Sequence, residues 1–398
     1  MSGRFDEVLE RRGTSSLKWD GCRQFFGTDD VLPMWVADMD FRTGPEIVQA
    51  ITARAADGVF GYSLRPEAFY ENVIGWFQRR YGWRAKRQWI VGTPGVVQGI
   101  AAAILAYTKP GDGVLIQTPV YYPFRESILG LGRRVVENPL VFDGRRYAMD
   151  EADLKAGLQQ SSLAILCSPH NPVGRVWTGR ELEAFGDACL ASDTVIVSDE
   201  IHADIVYPGS RHVPIASLSK DLRGSTVSLY AASKTFNLAG LQAAFAVISS
   251  DGLRLSFNAT LRSLGFYGSN IFGAVATAAA YGKGEGWLED LLAYLGENLD
   301  FMEEYLSTNV PGIRLVRPEG TYLAWLDCRG LGMDDEALRS FLLSEAGLAL
   351  DDGPMFGTGG SGFARLNFAC PRSLLRIAMS KLAAAVTAGK GRSSAGGT

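Results

Sequence analysis

The stretch Ser233-Lys234-Thr235-Phe236-Asn237 places a lysine between two apolar runs, residues 227–231 and 243–248, which predict buried strands. An isolated buried ammonium costs several kcal/mol. Lys234 must therefore pair with a carboxylate or lose its proton readily. A lysine amine that stays neutral can attack an aldehyde and form a Schiff base. This stretch alone leaves both interpretations open, a structural ion pair and a nucleophile.

The bulk composition is that of a soluble globular protein. A chain of 398 residues exceeds the size at which one core keeps growing, so we expect a large domain with a smaller companion. The net charge of −4 argues against nucleic acid and gives no sign of a membrane partner. The longest apolar run is too short to span a bilayer, and the first residues lack the apolar core of a signal peptide. We therefore predict a cytoplasmic protein.

The cysteines and histidines argue against two further classes of protein. The five cysteines are widely spaced, odd in number and contain no C-x-x-C pair, and there are only three histidines. A disulfide scaffold and a metal site are both disfavoured by this pattern. We interpret the cysteines as small buried residues in a reducing compartment.

The order of the predicted elements indicates the fold. From about residue 88, short apolar strands alternate with helices, which is typical of an α/β protein with a mostly parallel sheet covered by helices on both faces. We predict seven strands in a large domain over residues 50–285. A smaller α+β domain combines residues 1–49, where we expect a helix over 3–12, with residues 286–388. Residues 389–398 are rich in Gly and Ser and predict a disordered tail. The seven predicted strands are 89–91, 114–117, 134–137, 163–167, 195–198, 227–231 and 243–248.

Polar residues follow several of these strands at the point where each strand ends. Ligands of such sheets gather at the carboxyl ends of the strands. Asp199 could hold a protonated ring nitrogen, Asn171 lies between two prolines that restrain it, and Tyr121 could cover a flat ligand. The loop 93–97 opens a helix, where free N–H groups form an anion site. Taken singly, each also has a purely structural interpretation as a cap, a turn or a packed side chain.

Arg365 interrupts the apolar strand predicted at residues 363–368. A guanidinium in such a position requires a carboxylate partner, which belongs either to the protein or to a substrate. The sequence alone does not choose between them.

Read in order, the anion loop, tyrosine, asparagine, aspartate and Ser-Lys pair resemble the fold-type I pyridoxal 5′-phosphate (PLP) enzymes, over nearly the whole chain. Five blocks narrow the resemblance to the cystathionine β-lyase or cysteine-S-conjugate β-lyase group of the MalY/PatB type, within the class I/II aminotransferase superfamily. These blocks are LPMWVADMDF at 32–41, VFGYS at 59–63, SPHNPVG at 168–174, SDEIH at 198–202 and RLNFACPR at 365–372.

The resemblance implies a role for each residue around the cofactor. Lys234 would carry PLP as a Schiff base, Asp199 would pair with the pyridinium nitrogen, and Asn171 would bind the ring oxygen. Tyr121 would stack on the ring. The backbone N–H groups of Val96 and Val97 and the hydroxyl of Ser233 would bind the phosphate. His202 would contact the cofactor at the position where related aminotransferases have a tyrosine.

The resemblance also implies a substrate site and a dimer. Arg365 would bind the substrate α-carboxylate, with Trp35, Ala37 and Asn171 beside the substrate and Lys234, Tyr121 and Arg365 as the catalytic group. Tyr62 would reach the phosphate of a neighbouring subunit, which implies a homodimer with shared active sites. The phosphate-binding arginine of related aminotransferases is here Gln242, so backbone dipoles must carry more of the phosphate charge.

The expected reaction is β-elimination from cystathionine or another cysteine S-conjugate, which gives a thiol, pyruvate and ammonia. Lys234 would act as the general base, and the cofactor would delocalise the negative charge at Cα. An aminotransferase and a specialised biosynthetic enzyme acting on an S-linked cysteine derivative remain alternatives. A binding protein that uses the fold without turnover is a fourth possibility.

Overall fold

A seven-stranded sheet forms the centre of the molecule in the computed structural model, which describes residues 2–395. Its strands are parallel, except that Ala244–Ile248 runs antiparallel to both of its neighbours. The predicted seven-stranded, mostly parallel sheet is thereby confirmed. In spatial order the strands are Ile90–Thr93, Ala244–Ile248, Thr226–Tyr230, Val195–Asp199, Leu163–Cys167, Gly113–Ile116 and Arg134–Glu137.

Helices cover both faces of this sheet, because its inner strands are apolar on both sides. One face packs on a cluster that includes Ile100 and Phe124, and the other on a cluster that includes Leu182 and Phe185. The α-helices of the chain are Leu17–Asp20, Cys22–Phe26, Pro45–Ala56, Glu67–Tyr81, Val96–Tyr107, Pro123–Gly130, Glu151–Leu158, Gly179–Ala191, Ile215–Leu218, Lys220–Ser225, Ala232–Thr235, Asp251–Ser263, Ile271–Lys283, Glu285–Asn309, Asp335–Ser340 and Arg372–Ala395.

A second, antiparallel sheet lies in the C-terminal part of the chain. Its order is Arg314–Val316, Leu323–Asp327, Phe363–Asn367 and Asp351–Asp352. The short strand Leu32–Pro33 pairs in parallel with Leu348–Ala349. The N-terminal segment is thereby attached to the C-terminal one. The residues that follow, 34–41, bond to Asn367 of the second sheet and to Lys234 and Asn237, which follow a strand of the first. A further two-stranded sheet joins Val141–Phe142 to Tyr147–Ala148.

The helix predicted over residues 3–12 is wrong. Only Ser2–Arg4 forms a turn of 3-10 helix, and residues 6–11 are irregular. Phe5 is buried, with its ring centroid 5.1 Å from that of Phe41 and 5.7 Å from that of Trp287. A ten-residue helix is marginal by itself. The burial of Phe5 against distant aromatic rings therefore determines the path of this segment.

The C-terminal helix extends further than the sequence indicates. It runs from Arg372 to Ala395 and so enters the tail, residues 389–398, for which we predicted disorder. Adding residues to an existing helix costs little once the helix is nucleated. Residues 396–398 lie outside the described residues. The predicted domain boundaries stay a prediction, and the helix Pro45–Ala56 spans the first of them.

All five cysteines are free and buried, as predicted. Over residues 2–395, the helices that are long enough to cross a bilayer are not apolar enough to do so.

Candidate active site

A cavity of about 520 Å³ opens at the carboxyl ends of the parallel strands. It brings together nine of the residues that the sequence analysis assigned to the site. They are Lys234, Asp199, Asn171, Tyr121, Ser233, Val96, Val97, His202 and Ala37. Leu17, Gln98 and Gln242 also line it, and of these the sequence analysis had singled out only Gln242.

Lys234 lies in the short helix Ala232–Thr235, directly after the strand Thr226–Tyr230. Its Nζ donates a hydrogen bond of 2.6 Å to the carbonyl oxygen of Ala37, which also accepts one of 3.0 Å from the Tyr322 hydroxyl. Burial and the nearby charge of Arg365 lower the pKa of Lys234 to about 8. In the described part of the chain no carboxylate forms an ion pair with this amine. The structural ion pair is therefore excluded there, and a reactive amine is favoured.

Asp199 is the last residue of the strand Val195–Asp199 and is buried. Its Oδ1 accepts a hydrogen bond of 3.1 Å from the backbone N–H of Ile201. Burial, together with the adjacent Glu200, raises the pKa of Asp199 to about 7. A cationic group in the cavity would stabilise the ionised form of this carboxylate.

Asn171 and Arg365 are in direct contact. Nη1 of Arg365 donates to Oδ1 of Asn171 over 3.0 Å, so the amide NH₂ of Asn171 is left to donate to a ligand. Nη2 donates to the carbonyl oxygen of Trp35 over 3.0 Å and to the carboxylate of Asp351. Arg365 is buried behind Asn171 and does not itself line the cavity. Of the two possible carboxylate partners, the structure supplies one from the protein.

The guanidinium of Arg365 is nevertheless incompletely satisfied. Its Nε is buried and has no hydrogen-bond partner. A buried donor without an acceptor is costly, and a substrate carboxylate would satisfy it. No local sequence pattern identifies Asp351, since its contact with Arg365 depends on the pairing of two strands.

The opposite end of the cavity is the start of the helix Val96–Tyr107. The first-turn N–H groups of Val96 and Val97 have no intrahelical acceptor, and the helix dipole favours an anion there. Gly95 precedes them in an extended conformation, with its carbonyl oxygen 3.1 Å from Oγ1 of Thr93. Ser233 contributes a hydroxyl to the same cavity. These backbone N–H groups and the hydroxyl are hydrogen-bond donors of the kind that bind a phosphate group.

Two further side chains complete the walls. The ring of Tyr121 packs edge-on against Phe124, and burial raises the pKa of Tyr121 to about 12, so the phenol is protonated at neutral pH. The imidazole of His202 packs edge-on against Tyr322, and burial lowers the pKa of His202 well below its usual value. His202 is therefore neutral and can offer a hydrogen bond without adding charge.

Besides Arg365, two further predicted site residues, Tyr62 and Trp35, do not line the cavity in this chain. Tyr62 is fully exposed. The indole of Trp35 is buried against Phe25 and Phe26, and its Nε1 donates to the carbonyl oxygen of Lys18 over 3.1 Å. Trp35 contributes only its backbone carbonyl, which contacts Arg365.

The segment 35–41, which supplies Ala37, is fixed by buried polar contacts. The amide of Asn237 bonds to the backbone of Met39 and Phe41. Beneath the segment, Lys18 donates to Asp40 over 2.6 Å. Further contacts of this charged cluster are those of Arg11 with Asp38 and Asp40, and of the Trp19 indole with Asp40.

These residues fit PLP as a group. The cavity offers a lysine amine of lowered pKa for its aldehyde, a buried carboxylate for its ring nitrogen and an amide for its ring oxygen. It also offers an aromatic ring and a helix start for the phosphate. Arg365, whose Nε has no hydrogen-bond partner, contacts Asn171 of this cavity.

Comparison with known proteins agrees with this arrangement. Residues 29–382 match the family described as Aminotransferase class I and II. The chain is 41% identical to cystathionine beta-lyase PatB of Bacillus subtilis (strain 168), over 96% of this chain and 100% of that protein. It is 35% identical to protein MalY of Escherichia coli (strain K12), over 96% and 99%.

Among solved structures, cystalysin from Treponema denticola, which contains a pyridoxal 5′-phosphate cofactor, superimposes with a TM-score of 0.94 at 34% identity. The match covers 96% of this chain and 98% of cystalysin. The family predicted from the five sequence blocks is thereby confirmed, and the chain belongs to the class I and II aminotransferase family.

Proposed function

We propose that this protein is a PLP-dependent carbon–sulfur lyase that cleaves cystathionine or another cysteine S-conjugate to a thiol, pyruvate and ammonia. The relatives named cystathionine beta-lyase and the likeness to PLP-containing cystalysin support the reaction class. The observation that carries the proposal is Lys234, a buried amine of lowered pKa without a carboxylate partner in the described chain, in one cavity with Asp199.

PLP, when bound, supplies an electron sink for negative charge at the substrate Cα. Lys234 takes the Cα proton, because a pKa of about 8 leaves a useful fraction of its amine neutral near pH 7. The Ala37 carbonyl, 2.6 Å from Nζ, orients that amine. Asp199 would stabilise positive charge at the ring nitrogen of the bound cofactor, and Asn171 and Tyr121 would contact its ring.

We assign the substrate α-carboxylate to Arg365, which contacts the cavity-lining residue Asn171 over 3.0 Å and has an Nε without a hydrogen-bond partner. Apart from Asp199 and Lys234, the residues that line the cavity carry no charge at neutral pH, since His202 is neutral. A cysteine with an uncharged group on its sulfur, or cystathionine, whose distal carboxylate is balanced by its own ammonium group, suits such a cavity better than a side chain with an unbalanced second carboxylate.

The active protein is a homodimer in this proposal. Tyr62 is fully exposed, and it lies in a segment where Val59, Phe60 and Leu64 are also exposed. A second copy would cover these apolar side chains and bring Tyr62 towards the phosphate end of the partner's cavity. A cytoplasmic location is part of the proposal as well, supported by five free cysteines.

The test is incubation of the purified holoenzyme with L-cystathionine or an S-alkyl cysteine in the absence of any 2-oxo acid. Release of thiol and pyruvate in equal amounts supports the lyase. A strict requirement for an added 2-oxo acid, with transfer of the amino group to it, would contradict the proposal and identify an aminotransferase.

A further inference from the structure

Arg365, which we assign to the substrate carboxylate, already has a counter-ion within the protein. Asp351 and Arg365 lie directly opposite each other in the antiparallel pairing of Asp351–Asp352 with Phe363–Asn367. Their side chains form an ion pair, and only 6% and 4% of them, respectively, is exposed. The positive charge that should attract a substrate carboxylate is therefore already matched by a negative charge of the protein.

This pair is ionised. A guanidinium stays protonated at every physiological pH. Burial raises the pKa of the Asp351 carboxyl, and the charge of Arg365 opposes that rise. A buried cation that has lost its partner is strongly destabilising, so the state with both groups charged is the favoured one.

The hydrogen bonds of Arg365 determine which of its N–H groups remain for a ligand. Nη2 is engaged by Asp351 and by the carbonyl oxygen of Trp35, and Nη1 by Asn171. Nε has no partner, and Nη1 keeps a second N–H that none of these bonds uses. An incoming carboxylate thus meets two free N–H groups of a guanidinium whose charge is balanced, and it is repelled by Asp351 on the far side.

We propose that Asp351 is a specificity-determining residue that makes the site prefer zwitterionic amino acids over anionic 2-oxo acids. The inference rests on the proposed function. Both kinds of ligand place a carboxylate near Arg365 and are repelled by Asp351. An amino acid also carries an ammonium group, which Asp351 attracts, whereas a 2-oxo acid has no such compensation.

The consequence concerns the fate of the reaction. Pyruvate, the proposed product, is itself a 2-oxo acid, and 2-oxo acids are the acceptors in amino-group transfer. A site that binds them weakly releases pyruvate readily and disfavours transfer. Asp351 would in this way favour elimination over transamination without contacting the reacting atoms.

The test compares L-alanine and pyruvate, which share one carbon skeleton and differ in the ammonium group. Their dissociation constants are measured by calorimetry on the holoenzyme and on D351N, which keeps an oxygen acceptor for Nη2. We expect D351N to bind pyruvate about tenfold more tightly and alanine less than about threefold more tightly. Pyruvate should also inhibit lyase turnover of D351N at correspondingly lower concentration.

The matched control is D352N. Asp352 is the next residue, is half-buried and pairs with Arg339 over 3.2 Å, away from the cavity. D352N should keep the wild-type ratio of the two affinities. D351E retains the negative charge, so its ratio of the two affinities should be close to that of the wild type if it folds normally.

An alanine-to-pyruvate ratio in D351N that equals the wild-type value, with the variant folded and loaded with PLP, would overturn the inference. A loss of affinity for both ligands would also overturn it, because Asp351 would then only orient Arg365. If the wild type releases no pyruvate from any cysteine S-conjugate, the proposed function fails. In that case, the alanine-to-pyruvate affinity ratios of the wild type and of D351N would still test the role of Asp351.

Discussion

The two ends of the active site are built in different ways. The cofactor end, with Lys234, Asp199 and the start of the helix at Val96, consists of residues that follow strands of one sheet. The carboxylate end joins Arg365 to Asp351 on a neighbouring strand and to the backbone of Trp35, far away in sequence. The first end depends on local chain order, and the second on tertiary contacts between distant segments.

This difference predicts at which end of the site a mutation leaves the stability of the fold unchanged. A mutation at the cofactor end should remove a chemical group and leave the fold intact. A mutation at the carboxylate end, or in the charged cluster that holds the segment 35–41, should change stability and substrate binding together. The following experiments test that separation, from the largest expected effect to the smallest.

Replacement of Lys234 by alanine should abolish turnover, with a loss of about a thousandfold or more, because the base and the cofactor attachment disappear together. The visible absorbance of the bound cofactor should change as well, while the unfolding midpoint of the apo-protein should not fall. The exposed Lys220→Ala provides the control. Turnover by Lys234→Ala at a rate near that of the wild type would refute the mechanism.

Replacement of Asp199 by asparagine should lower kcat by about two orders of magnitude, since a neutral amide no longer stabilises a protonated ring nitrogen. The buried carboxylate has a pKa raised to about 7, so its removal should not destabilise the apo-protein. Stopped-flow absorbance and urea unfolding measure the two effects. The exposed Asp187→Asn should behave as wild type in both.

Replacement of Lys18 by methionine should lower the free energy of unfolding by about 3 kcal/mol, because Asp40 loses a buried partner at 2.6 Å. Since this cluster fixes the segment 35–41, KM should rise while cofactor affinity changes little. The exposed pair Arg42–Glu7 offers the control, and Arg42→Ala should leave the free energy of unfolding nearly unchanged. Equal losses in both variants would contradict a special role for the cluster.

The rate of PLP uptake by the apo-protein should rise with pH and level off above a midpoint of about 8. Only the neutral amine of Lys234 reacts, and its lowered pKa places the change in this range. The charge of Arg365 contributes to that lowering, so Arg365→Met should move the midpoint upward, by less than about one unit. An unchanged midpoint would show that the two ends of the site are electrostatically independent.

That the residues of the cofactor end lie together could be predicted from the sequence, because the signals for their positions are local. Polar residues after apolar strands locate the carboxyl edge of a parallel sheet, and the helix that follows the strand Ile90–Thr93 predicts an anion site at its start. Lys234, Asp199 and Asn171 were found from this rule together with the family blocks. All three line the cavity.

The carboxylate end was only partly predictable. Arg365 was recognised as an arginine that needs a carboxylate, yet the identity of that partner depends on strand register, which no local pattern encodes. Trp35 was expected beside the substrate, but its indole packs on Phe25 and Phe26. The predicted helix over residues 3–12 failed for the same reason, since Phe5 contacts rings almost three hundred residues away.

The hydrogen bond from Lys234 ends on a backbone oxygen, that of Ala37, and not on a side chain. A carbonyl is present whatever residue occupies the position, whereas the side chain at this cavity-lining position can differ. Natural variation at this site could therefore reshape the space for the leaving group and keep the contact to the lysine. New substrate preferences could evolve here without a loss of the underlying chemistry.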